Sequence, residues 1–169
     1  MKPVISIIMG STSDYPIVKK AAVFLEAMEI PFELQALSAH RTPLRVEQFA
    51  SSARERGIKV IIAAAGMAAA LPGVIAALTP VPVIGVPISA SLNGQDALLS
   101  MVQMPPGIPV ATVGIDGAMN AAILATQILT LGDKALAHRL DVWRSTLTEK
   151  IDKASAELAA IDDFKFKTN

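Results

Sequence analysis

Five times along this chain a short apolar run stops at a turn of small or polar residues, and a stretch with helical periodicity follows. The runs are Val4 to Met9, Phe32 to Leu37, Val60 to Ala64, Val83 to Val86 and Pro109 to Val113. Most lack polar alternation, which marks strands covered on both faces, as in a parallel sheet. The helical stretches are Asp14 to Met28, about Pro43 to Arg56 with Gly57 as the stop, Ala70 to Leu78, Gly94 to Val102 and Ala118 to Leu131. In the first of them Ile17, Ala21, Phe24, Leu25 and Met28 recur at helical intervals, while Lys19, Lys20 and Glu26 fall on other faces. Regular alternation of this kind builds an α/β protein with three layers, αβα, joined by right-handed crossovers. Five short strands fit the flavodoxin-like parallel order 2-1-3-4-5.

Beyond Gly132 charges come at close intervals around Leu136, Leu140, Trp143, Leu147 and Ile151, the spacing of a long C-terminal helix over 133–160. A helix placed after the last strand has little of its own sheet left to cover. It is expected to pack partly on a neighbouring subunit, with residues 1–161 forming a single domain and 162–169 a flexible tail. The apolar fraction of 52% against 18% charged residues also favours an oligomer. No apolar run approaches a membrane span, and acidic and basic residues balance at 15 each, so neither a membrane nor nucleic acid is an expected partner. The chain has no cysteine, which excludes disulfide and thiolate chemistry, and its Met-Lys-Pro start runs straight into a strand without a leader pattern. A cytoplasmic protein is the expectation.

In a parallel sheet the loops leaving the carboxyl ends of the strands hold the ligand. The first reads Gly10-Ser11-Thr12-Ser13-Asp14. Hydroxyls at a helix N-terminus can accept an anion, although Ser and Asp are also good helix caps. This is neither a Walker loop nor GxGxxG. The second, Ser38-Ala39-His40-Arg41-Thr42-Pro43, pairs one of two histidines with an arginine, joining a proton carrier to an anion clamp. The third runs Gly66-Met67-Ala68-Ala69-Ala70-Leu71-Pro72-Gly73, where small side chains would allow a ligand close to the backbone. Ser89 to Asn93 and the proline-rich Gln103 to Pro109 are further candidates for shaping a pocket. There is no GxSxG elbow and no histidine pair at metal-ligand spacing, so no metal site is expected. The residues themselves point to proton chemistry on a small phosphorylated molecule, with His40 as the shuttle.

The segments MGSTSD at 9–14, SAHRTP at 38–43, AAGMAAALPG at 64–73, VPVIGVP at 81–87, LNGQDALLSMVQMPPGIPVATV at 92–113 and NAAILATQIL at 120–129 span nearly the whole chain. In that order they resemble the N5-carboxyaminoimidazole ribonucleotide mutase family of purine biosynthesis. The resemblance implies transfer of a carboxylate from the exocyclic nitrogen to C4 of an aminoimidazole ribonucleotide, by decarboxylation to trapped CO2 and recarboxylation. It implies no cofactor and a homo-octamer. It implies His40 as general acid and base, Ser11 and Arg41 at the phosphate, Asp14 at the ribose, further hydroxyl contacts from Ser13 and Ser38, and CO2 enclosed by Gly66, Met67, Ala68, Ala70 and Leu71. The mutases normally carry a histidine where this chain has Ala70. A related class that adds CO2 directly to the aminoimidazole has alanine there, but typically reads SAHK and lacks the Leu-Pro-Gly. Arg41 and Pro72 side with the mutases. A direct carboxylase and a non-catalytic nucleotide-binding oligomer are the alternatives.

Overall fold

The computed structural model describes Met1–Asn169. Five parallel strands, β1 (Ile5–Met9), β2 (Phe32–Ala36), β3 (Val60–Ala65), β4 (Val83–Pro87) and β5 (Ala111–Thr112), form one sheet in the order β2-β1-β3-β4-β5. This is the expected topology. Ile7 lies opposite Leu34 on one side and Ile62 on the other, and Ala63 opposite Gly85, so the register is continuous across the centre.

Strand residues alternate between two cores, as the two-residue period of a pleated strand requires. Ile5, Ile7 and Met9 of β1 and Val60, Ile62 and Ala64 of β3 face one layer, made of α1 (Tyr15–Ala27), α5 (Ala118–Thr130) and the start of α6 (Lys134–Ala159). Ile8, Ile61, Ala63 and Ala65 face the other, made of α2 (Pro43–Ser52), α3 (Leu71–Leu78) and α4 (Gln95–Val102). Burying an isoleucine in such a layer contributes about 1.5 to 3 kcal/mol. The apolar stripe of α1, with Val18, Ala21, Phe24 and Leu25, closes the first core, and Trp143 meets Phe24 edge to face at 4.9 Å between ring centroids.

Three boundaries differ from expectation for local reasons. The fifth strand is two residues long, because Pro109 has no N–H to give a ladder and pairing begins at Ala111 opposite Ile84. The second helix ends at Ser52, and the chain then turns so that Ile58 N–H reaches Ala53 C=O across Gly57 at φ +89°. The first helix begins at Tyr15, one residue later than expected, after a 3-10 turn at Thr12–Asp14 capped by Ser11 Oγ, which accepts from Ser13 N–H.

Helix α6 has 26 residues and spans about 39 Å. Only Leu136 and Leu140 on it are buried, and 151–160 are exposed throughout. No helix is long and apolar enough to cross a membrane.

Candidate active site

The chain leaves β1 toward β2 on one side and returns to β3 on the other. This reversal opens a crevice at the carboxyl ends of the strands. A cavity of about 550 Å³ occupies it. The structure brings Ser11, Ser13 and Asp14 from the first loop, Ser38, His40 and Arg41 from the second, and Gly66, Met67, Ala68, Ala70 and Leu71 from the third onto its walls. Every site residue that the resemblance implies therefore lines one cleft, whereas of Ser89 to Asn93 only Ala90 does.

The second loop is held by its own side chains. Thr42 Oγ1 accepts from Ser38 N–H at 3.0 Å and donates to Ser38 C=O at 3.1 Å, and Thr42 N–H donates to the same carbonyl at 2.8 Å. Serine and threonine close such turns by satisfying backbone groups that no helix or strand engages. Ser38 Oγ accepts from the backbone N–H and the Nε–H of Arg41 at 3.2 and 3.4 Å. Arg41 Nη2 then donates to Gly10 C=O at 2.9 Å, fixing the guanidinium against the first loop. With Ser38 and Thr42 so engaged, the exposed His40 ring is presented at the cleft surface.

Asp14 sits at the N-cap of α1, the place where an aspartate usually caps, yet its side chain makes no capping hydrogen bond. It is 9% exposed. Burial pushes its carboxyl above the ordinary carboxylate range, against the pull of hydrogen bonds from Ser13 and the Ser11 backbone. A buried carboxylate not used by its own helix is available to accept hydroxyl groups from a ligand.

The third loop contains backbone strain. Ala68 adopts φ +46°, a left-handed conformation that costs a non-glycine residue about 1 to 3 kcal/mol. Ala70 N–H closes on Ala68 C=O at 2.6 Å. Ala70 is then the N-cap of α3, and an alanine cannot cap, so the N–H groups of the first turn have no side-chain partner. Gly66 is pressed against the β4 loop: a Cβ there would stand 2.7 Å from Ala90 Cβ.

Ala39, Ala65, Ala69 and Ala90 also line the cavity. None of them was given a role from the sequence, although Ala39, Ala69 and Ala90 fall inside the loops marked there; Ala65 is the last residue of β3. The proline-rich stretch Gln103 to Pro109 contributes nothing to the cavity wall. Its Met104 instead packs against Gly73 in α3, so this stretch does not line the cavity as the sequence led one to expect.

By fold and cleft the chain is a doubly wound α/β protein, with its cavity at the switch point of the sheet, where proteins of this architecture bind their ligands. It belongs to the AIR carboxylase family, whose model matches residues 4–150. N5-carboxyaminoimidazole ribonucleotide mutase from Pyrococcus abyssi is 59% identical over 146 residues, covering 86% of this chain and 84% of that protein. The mutase of Bacillus subtilis is 52% identical over 161 residues, covering 94% and 99%. Among solved structures, Treponema denticola PurE superposes with a TM-score of 0.83 at 31% identity, covering 92% of this chain and 98% of that one.

Proposed function

We propose that this chain is an N5-carboxyaminoimidazole ribonucleotide mutase, an isomerase of de novo purine biosynthesis, working in the cleft described above. The carrying observation is that Arg41, bridged to Gly10, forms a fixed cationic corner on the same cavity as His40 and the small-residue loop. Ser11 and Arg41 bind the phosphate, Asp14 accepts the ribose hydroxyls, and Ser13 and Ser38 support both loops. Arginine suits this role because its planar fork can hold a carbonyl and still donate to phosphate oxygens.

His40 acts as general acid and then general base. The bond between the exocyclic nitrogen and its carboxyl carbon breaks, CO2 forms, and the nitrogen takes a proton from His40. C4 then bonds to CO2, and the proton lost from C4 returns to His40. Gly66, Met67, Ala68, Ala70 and Leu71 surround the CO2, and the small side chains among them let backbone N–H groups reach its oxygens. His40 is the one histidine on the cavity wall, since Ala70 supplies no imidazole at the start of α3.

A homo-octamer and a cytoplasmic location belong to this reading, with residues 1–161 as one folding unit and 162–169 as a loosely held tail. Support for assembly comes from Val142, Leu147, Ile151 and Leu158, exposed along α6. A monomer in light scattering at micromolar concentration would contradict it.

Direct carboxylation is the second reading, favoured by Ala70 alone. The deciding experiment follows conversion of the carboxyamino substrate, and separately the addition of CO2 to the aminoimidazole ribonucleotide, for this chain and for Ala70→His. Mutase turnover that exceeds direct carboxylation is expected in both proteins. Rapid direct carboxylation without mutase turnover would overturn the proposal.

A further inference from the structure

The loop after β5 reaches across to the loop after β4 and holds it at two points. Asp116 Oδ1 accepts from Ser89 N–H at 3.0 Å, and Asp116 N–H donates to Pro87 C=O at 2.8 Å. One residue thus grips the last residue of β4 and the second residue beyond it. Further along, the Ile115 side chain packs over Gly94, where a Cβ would stand 2.7 Å from Ile115 Cγ2. Asp116 makes its contacts at φ +56°, a left-handed conformation that aspartate adopts more readily than most residues but still at a cost. Strain of this kind persists only where the surroundings over-determine it, and it gathers at functional sites.

The loop so held leads directly to the cavity. Ser89 is followed by Ala90, which lines the cavity wall and stands against Gly66. Ala90 N–H donates to Ile88 C=O at 2.8 Å, and Ile88 N–H donates to Ala65 C=O at 2.9 Å. Residues 88–90 therefore turn tightly between the third loop on one side and Asp116 on the other. Ser89 is exposed and lies outside any helix or strand, so its N–H finds its protein partner in the Asp116 carboxylate. Past Ala90 the same loop carries strain of its own, with Leu92 and Asn93 at φ of +44° and +54°. A segment in that state needs outside contacts to keep one conformation.

We propose that Asp116 is a positioning residue: by binding Ser89 N–H and Pro87 C=O it sets Ala90 against Gly66 and so fixes the wall of the small-residue pocket. Neither Asp116 nor Ser89 lines the cavity, so Asp116 acts through the backbone of the β4 loop and not on the substrate. Its consequence for turnover rests on the mutase reading, whereas its consequence for the loop does not.

The test compares Asp116→Gly with Asp116→Asn in the full chain. Glycine suits the positive φ, so the first variant removes the carboxylate without adding backbone strain, whereas asparagine keeps an oxygen for Ser89 N–H and also tolerates that conformation. In Asp116→Gly amide exchange at 89–90 is expected to quicken about tenfold, the scale of losing a hydrogen bond to a charged group, with β3 and β4 unchanged. In steady-state kinetics kcat is expected to fall about tenfold or more with KM within about threefold, because the phosphate clamp is on other loops. Asp116→Asn is expected to stay within about threefold of the parent in both readouts. Unchanged exchange at 89–90 in Asp116→Gly, exchange that quickens equally through β3 and β4, an unchanged kcat, or an asparagine variant as impaired as the glycine one overturns the proposal. Should Asp116→Gly fold poorly, the parent decides: a Ser89 amide that exchanges as fast as an unstructured one overturns the proposal as well. If exchange responds as expected while the parent protein shows no mutase turnover, the mutase reading falls and the anchoring of the β4 loop stands.

Discussion

Gly66→Ala would put a methyl group where the β3 and β4 loops already touch. The new Cβ would lie 2.7 Å from Ala90 Cβ, whereas carbon atoms pack at about 3.5 to 4.0 Å, so the loops must part by about 1 Å. Neither side yields easily: Ile88 N–H is bonded to Ala65 C=O at 2.9 Å and Ala90 N–H to Ile88 C=O at 2.8 Å. Overpacking of this kind costs about 1 to 3 kcal/mol of stability. A placement error near 1 Å in the pocket costs about 100-fold in turnover. Thermal or urea denaturation reads the first effect, and the spectroscopic mutase assay reads the second. Ala90→Gly removes the opposing methyl, so the double variant should recover most of both losses, with a coupling energy of about 1 kcal/mol or more. Gly66→Ala at parental stability and kcat would show that the two loops do not hold each other in place. So would losses that the Ala90→Gly partner leaves unrelieved.

Asp14→Asn is expected to raise the melting temperature near neutral pH. Burial holds the Asp14 carboxyl above its usual range, so the stability it contributes is present at low pH and lost as pH rises through its folded value. The gain should therefore shrink on acidification toward about pH 4, where the parent's carboxyl is increasingly protonated. Calorimetry should show about tenfold weaker nucleotide binding by the same variant, and a variant less stable at neutral pH would contradict the account. Arg41→Lys keeps the charge but loses the fork that reaches Gly10 and Ser38 together, so KM should rise about tenfold or more while kcat changes little. Glu33 shows the opposite pH behaviour. Burial pulls its carboxyl up, but hydrogen bonds from Arg56 and Ser6 outweigh it and hold the group below the usual range. Its stabilisation is present above the unfolded pKa and lost as pH falls through the folded one. Glu33→Gln should cost about 1 kcal/mol or less at neutral pH in urea titrations, because solvent screens the half-exposed Arg56, and the cost should fade in acid.

Strands β1, β3 and β4 were legible because burial on both faces writes a continuous apolar run into the sequence. Edge strand β2 is only half covered, but its run before SAHRTP was enough to place it. Strand β5 shrank because prolines crowd its start, where pattern reading weighs hydrophobicity more than donor count. The site was legible for a topological reason: in a parallel sheet the loop after each strand must open on the same edge, so GSTSD, SAHRTP and AGMAAAL had to converge. What stayed hidden depends on backbone conformation and on contacts between distant loops. No composition signal puts Leu92 and Ala68 at positive φ, and none reveals that Gly66 rests on Ala90. Asp14 resembled a helix cap because its position is that of a cap. Only its burial and missing capping bond distinguish it.

In the proposed mechanism His40 moves the proton while the neighbouring loops bind the nucleotide. His40→Asn tests it most directly, with turnover of the carboxyamino substrate and calorimetric binding of the product measured on the same preparation. The expected result is a fall in kcat of about 100-fold or more, with affinity within about threefold of the parent. Turnover near the parental rate, or a loss of affinity large enough to explain the loss of rate, would contradict it.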